Sequence, residues 1–389
     1  MSDADGSALE VAPDEEQEVT KLELFFDLVY VFAVSQLSGH LLEHLSWRGA
    51  LETLVLLLAV FGMWAFTTYE STMVLSRHRR SQLVLLAVMV LGLVMNASIG
   101  EAFEDSPWTF VVPMLVIQYG RTLVTRSYDA YPALRNHRSA MLVWFTLSGI
   151  PWIGGAIAAP EHRLWWWLIA VGIDVLGMRT YHPVPGIDRS SLGEVGFDMA
   201  HQIERCRLFL IICLGEAILT TGSAMIRGLH HPLAIATGML SMVVIMCIWA
   251  LPFGWDSYID RYVEGNRQER SPLASGALVT EGQQVLVIGQ VALAVGAELA
   301  IDEPGEPLPI AATAVLFGGV ALCTLTLWAF LANFTDKHIW VPLVTSAAAC
   351  LVCGAVVVLA HAPGIAAMGL LSAVMLLTCW RYSRVITAL

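Results

Sequence analysis

Apolar runs long enough to cross a bilayer's hydrocarbon core, which takes about 20 residues of helix, recur along the whole chain, and nothing in the sequence constrains the fold more. The candidate spans are 22–45, 50–75, 82–101, 107–127, 139–159, 163–179, 202–225, 232–255, 274–299, 310–332, 339–360 and 363–381. A soluble fold of 389 residues has too little interior to hide them all. Hydrocarbon offers no hydrogen-bond partners, so each backbone group must be bonded inside its own segment, and runs of this length meet that demand as helices. Composition agrees: 14% of the residues are charged, against about a quarter in soluble domains, and mean hydropathy is +0.66. The expected fold class is all-α, a polytopic transmembrane helical bundle of about 12 spans.

Basic residues orient the bundle. With both termini cytoplasmic, only Arg48, Arg163 and Arg227 of the 21 Lys and Arg residues fall on the opposite side. An odd error in the count would invert this bias in every later loop, so even parity is firmer than the number of spans. Residues 1–20, MSDADGSALEVAPDEEQEVT, are acidic and polar without Arg or Lys. They read as a disordered cytosolic tail, lacking the basic leader and apolar core of a signal peptide. Residues 21–389 then form a single transmembrane domain. Spans divided evenly allow two halves, 21–185 and 195–389, as a weak six-plus-six parallel pseudo-repeat, and the Leu-Phe shared by Leu24-Phe25 and Leu208-Phe209 is its sequence hint.

Several classes of function fall away. No connection is long enough for a soluble catalytic domain, and no basic tract suits a nucleic acid. Seven cysteines lie mostly in apolar runs, and Cys350 and Cys353 sit among alanines, valines and leucines, where they read as small apolar fillers. No structural disulfide, metal site or cofactor is expected. The expected partners are membrane lipids and either a small solute or a lipidic substrate, and homo-oligomerisation stays open.

Charges inside the spans carry the chemistry, because an ionised side chain in hydrocarbon must be neutralised, paired or hydrated. Glu23 and Asp27 are four apart, so one helical face presents both carboxylates. Glu23 reads equally as a helix cap, whereas Asp27 lies a turn deeper. A second segment places His201 and Arg205 four apart, with Glu204 offset by one position and Glu216 eleven residues beyond Arg205. Arg205 and Glu216 share a face but stand about 16 Å apart in rise, which puts Glu216 near mid-membrane. Asp27, His201, Glu204, Arg205 and Glu216 are the candidate functional cluster. Glu23, Glu70, Arg121, Asp174, Glu281 and Gln290 are candidate substrate contacts. Most of these, with Asp336, belong to the cytoplasmic halves of their helices, where they either converge on a polar vestibule or are ordinarily solvated at the interface. His40 and His44, four apart, read as loop residues and not as metal ligands.

The stretches KLELFFDLVYVFAVSQLSGHL and HQIERCRLFLIICLGEAIL resemble the signature segments of the bacterial low temperature requirement protein A (LtrA) family. The first matches through Glu23, Leu24, Phe25, Phe26, Asp27 and Leu28, the second through His201, Glu204, Arg205, Leu208, Phe209, Leu214, Gly215 and Glu216. The resemblance implies a multi-spanning protein of the bacterial cytoplasmic membrane, in a family named for a growth phenotype and not for a reaction. This chain departs from the family pattern at 249–258, WALPFGWDSY, and by offering Glu281, Gln283 and Gln284 where members often carry histidine.

Three functions fit. The first is a transporter or permease of a small solute, coupled to protons through membrane-depth carboxylates. The second is an intramembrane acid-base enzyme, an isomerase or cyclase acting on a lipidic or isoprenoid-like substrate. The third is a membrane scaffold for low-temperature or stress adaptation, whose polar network only fixes packing.

Overall fold

The computed structural model describes residues 19–70, 79–128, 132–187, 199–253, 272–334 and 341–387, which form twelve α-helices and no β-strand. The acidic stretch 1–18 and Asp336 lie outside the described residues. The helices are α1 (Lys21–Glu43), α2 (Trp47–Glu70), α3 (Arg79–Ala97), α4 (Pro107–Tyr128), α5 (Pro132–Ile157) and α6 (Pro160–Arg179). They continue as α7 (Met199–Arg227), α8 (Pro232–Phe253), α9 (Pro272–Asp302), α10 (Ile310–Phe334), α11 (Val341–Ala360) and α12 (Gly364–Thr387). Each expected span has its helix, and five open on a proline, whose missing N–H costs nothing in a first turn.

Among the described residues nine helices are long and apolar enough to cross a membrane; α3, α4 and α6 fall short. The shortfall has a local cause in α4 and α6. Buried polar side chains interrupt them, Gln118, Arg121, Thr122 and Thr125 in α4, Arg163 and the half-buried Asp174 in α6. Apolar side chains are instead exposed on outer faces, as with Val90, Ile150, Leu219, Val352 and Leu359, the pattern of a lipid-facing surface.

Packing runs in two similar circuits. In the first six helices α1 packs on α2 and α3, α3 on α4, α4 on α5, α5 on α6, and α6 returns to α2. Six helices later α7 packs on α8 and α9, α9 on α10, α10 on α11, α11 on α12, and α12 returns to α8. The circuits meet where α1 touches α7 and α9, and α2 touches α9. Their interiors differ. The second circuit encloses an apolar core that includes Val244, Ile248, Phe317, Leu343, Met368 and Met375. Glycines let α9 and α10 approach closely there: a Cβ on Gly319 would lie 2.6 Å from the Gly289 carbonyl oxygen, so no larger residue fits without separating the helices.

The end where α1 begins and the end where α1 finishes are tied differently. At the far end Arg163 is a clamp for the main chain: Nε donates to the Gly155 carbonyl at 3.1 Å, and Nη1 to the carbonyls of Ala102 and Glu104 at 3.3 and 2.6 Å. It joins the α5–α6 turn to the α3–α4 connection. Arg227 there reaches Glu298 at 2.6 Å and Asp302 at 3.0 Å. His40 corrects the expectation of a loop residue: it is buried inside α1, stacks on Phe103 and stands 3.9 Å from Glu52. The helix simply continues past it to Glu43.

Candidate functional site

The near end gathers the buried charges. Thr20 starts α1 as a capping box: its hydroxyl accepts from the Glu23 N–H at 3.3 Å, and Glu23 Oε2 accepts from the Thr20 N–H at 3.0 Å. The other oxygen of Glu23 turns inward, accepting from Arg205 Nη1 at 3.3 Å and lying 3.3 Å from His201 Nε2. Glu23 is thus cap and network member at once, with one oxygen for each task. One turn deeper, Asp27 Oδ1 accepts from Arg205 Nη2 at 2.8 Å and from the Trp64 indole N–H at 2.8 Å. Asp27 and Arg205 both have 0% exposure. Spacing explains the match. Two acids four apart on α1 face a histidine and an arginine four apart on α7, so two turns of each helix pair across the contact. Phe26 lies under the guanidinium at 5.7 Å, and Phe209 packs on Trp64 with ring centroids 4.7 Å apart. The two motif segments therefore meet, while Phe25 and Leu28 of the same turns face outward.

A second cluster stands beside the first, on α2, α4 and α5. Glu70 Oε1 accepts from Arg138 Nη1 at 2.6 Å, and Glu70 Oε2 lies 3.4 Å from Arg121 Nε. Arg121 Nη1 donates to the Thr67 hydroxyl at 3.2 Å, and its guanidinium sits 5.5 Å from the Phe66 ring. All three charged side chains are buried. Removing one partner from such a group leaves another charge stranded, at a cost of about 3–5 kcal/mol.

Glu70 and Arg138 form part of the wall of a half-open cavity of about 340 Å³. Its walls come from α2, α5, α6 and α9, with the segment after α6 supplying Tyr181 and His182. Those two residues hold an uncommon backbone. Helix α6 ends with the His182 N–H on the Gly177 carbonyl and the Tyr181 N–H on that of Met178, a Schellman closure. Glycine ordinarily takes the left-handed position there, but Tyr181 and His182 have φ of 56° and 53°. Each such residue costs on the order of 1–2 kcal/mol. The arrangement sets His182 against His137, Phe66 and Trp144, with ring centroids 5.5 to 6.2 Å apart. Gly177 is required beneath it, since a Cβ would meet the Trp144 ring at 2.8 Å.

The remaining candidates scatter. Glu281 lines the same cavity and is paired to Arg179 at 2.8 Å, so it joins the second cluster's surroundings. Glu204 is exposed beside Arg207, at 3.6 Å, and takes no part in the α1–α7 contact. Glu216 is half-buried on α7, and none of the clusters reaches it. Asp174 Oδ2 accepts from the Trp152 indole at 3.0 Å, inside the α5–α6 pair. Gln290 is buried in α9, and its amide has no partner among the described residues. Sequence reasoning missed Trp64, Tyr30, Arg138, His137 and His182 as members of the site. Tyr30 had a signal, three residues after Asp27 on the same face; Trp64 and His182 had none.

Fold and site together define a multi-spanning helical membrane protein in which the buried carboxylates Glu23, Asp27 and Glu70 are paired with arginines from other helices. It belongs to the bacterial low temperature requirement A (LtrA) family, whose model matches residues 18–380. The chain is also similar to an uncharacterized protein of Rhizobium meliloti (strain 1021), 28% identical over 290 residues, which is 72% of this chain and 69% of that one. No solved structure matches it.

Proposed function

We propose that the protein is a carrier, taking a small organic solute through the near-end cavity and linking its movement to protons held at the α1–α7 contact. The observation that carries this reading is the half-open cavity of about 340 Å³, whose wall includes the Glu70–Arg138 pair. That volume suits a small-molecule ligand. Aromatic and methionine side chains supply an apolar body contact, and Glu70, Arg138, Glu281 and Arg179 supply polar ends. The two similar packing circuits support the same reading, because carriers built from parallel halves rock one half against the other around a shared site. Glu23, Asp27, His201 and Arg205 stand at the junction of the halves, where rocking would separate them and change which of them holds a proton. The basic-residue bias supports a reading in which this end and both termini face the cytoplasm.

An acid-base enzyme is the second reading, favoured by His137 and His182 beside Glu70 in a mainly apolar cavity. Proteoliposomes separate the two. A mixture of isotopically labelled amino acids, amines, carboxylic acids and sugars is offered with and without an imposed proton gradient, and contents are read by mass spectrometry. The carrier reading expects gradient-dependent accumulation of one class, lost in Glu70→Gln. No accumulation above empty liposomes, or a lipid converted over time, overturns it.

A further inference from the structure

Between the two ionic clusters the first circuit buries polar atoms that the described protein leaves without hydrogen-bond partners. They are Asp27 Oδ2, Tyr30 OH, Asn96 Oδ1, both amide atoms of Gln118, Arg121 Nη2, Thr122 Oγ1 and Glu70 Oε2, the last only in ion-pair reach of Arg121. These residues are all at least nine-tenths buried. Their positions converge. Gln118, Arg121 and Thr122 occupy one face of α4 within a turn. The Asn96 amide of α3 donates to the Val29 carbonyl at 2.7 Å, next to Tyr30. The Tyr30 hydroxyl points at α3, 3.8 Å from where a Cβ on Gly92 would stand, and it lies close enough to feel the charges of both Asp27 and Arg121. Thr67, Thr68 and Thr125 return their hydroxyls to carbonyls of their own helices, as membrane threonines commonly do; Thr122 does not.

We infer that α1, α2, α3 and α4 enclose a polar chamber that binds ordered water and joins Asp27 to Glu70. The mixture of atoms selects the occupant. Arg121 Nη2 and the Gln118 amide nitrogen only donate; Asp27 Oδ2, Asn96 Oδ1 and Gln118 Oε1 only accept; the two hydroxyls do either. An anion satisfies the donors and leaves the acceptors stranded. A metal cation satisfies the acceptors and is repelled by Arg121. Water both donates and accepts, and buried water usually makes about three hydrogen bonds. The Arg121 guanidinium also excludes free hydronium, so the chamber is a solvating link and not a proton wire. Its role rests on the carrier reading: when Asp27 parts from Arg205, or Glu70 from Arg138, water supplies the replacement hydrogen bonds. Its occupancy does not rest on that reading.

Hydroxyl-radical footprinting by X-ray pulses tests occupancy directly, because radicals formed from bound water oxidise the side chains beside it. Tyr30, fully buried, is expected to gain oxygen, while Phe317 in the apolar core of the second circuit stays unmodified. Gln118→Leu, which removes two chamber atoms while adding an apolar residue to a membrane helix, is expected to lose the Tyr30 label. Thr122→Val, nearly the same shape, is expected to reduce it. Tyr30 as unreactive as Phe317 in the unaltered protein overturns the inference, as does undiminished label in Gln118→Leu. Labelled Tyr30 in a protein that moves no solute supports the chamber and removes the carrier.

Discussion

Arg163 and Arg205 are both buried arginines of a membrane helix, yet one closes the far end of the bundle and the other joins two helices at the near end. Arg163 is held by carbonyl oxygens of Gly155, Ala102, Glu104 and Ala158, which never change charge. Arg205 is held by the carboxylates of Glu23 and Asp27, which do. The first arrangement fixes two turns of chain and has one state. The second has as many states as its carboxylates have protons, and it lies between elements of different circuits. A buried arginine is therefore no sign of function until its partners are known.

The largest effect that sharpens this contrast is expected from Arg205→Leu. It strands Asp27 without a cation and leaves Glu23 only His201 and its cap, and a loss of about 3–5 kcal/mol should show as a large fall in the thermal unfolding midpoint in detergent. Arg163→Met removes charged donors but strands only neutral carbonyls near an aqueous edge, so a loss of roughly 2 kcal/mol is expected. Uptake per folded molecule should be unchanged in Arg163→Met; a transport defect beyond its unfolded fraction would erase the distinction between the ends. Trp64→Phe keeps the ring against Phe209 and deletes one hydrogen bond to Asp27, for about 1–1.5 kcal/mol in the same unfolding assay. Glu216→Gln should be the smallest, within about 0.5 kcal/mol, and a larger change would show that a third ionic centre exists on α7.

Much of this was legible beforehand, for reasons that can be named. The helices followed from apolar runs because hydrocarbon allows the backbone few alternatives. Glu23, Asp27, His201 and Arg205 stood out because charge in such runs is costly, and their spacing of four already set each pair on one face. What spacing could not tell was which faces meet. Glu216 sits in an apolar run as conspicuously as Asp27 and on the face of α7 that carries Arg205, yet it lies three turns deeper and is only half-buried. Arg138 was hidden by the charge bias: it counted among the basic residues assigned to one side, and its charge seemed explained before its partner Glu70, 68 residues away, was known. His182 was unreadable because its place depends on a left-handed backbone at two residues that are not glycine.

Asp27 and Arg205 join α1 to α7 as a charge pair, so the two helices are more than packed side by side. A double-mutant cycle of Asp27→Asn and Arg205→Gln, followed by thermal unfolding, measures that most directly. The pair should be coupled by more than about 2 kcal/mol, the double variant being far less destabilised than the sum of the single ones. Additivity within about 0.5 kcal/mol would mean that α1 and α7 are held by packing alone.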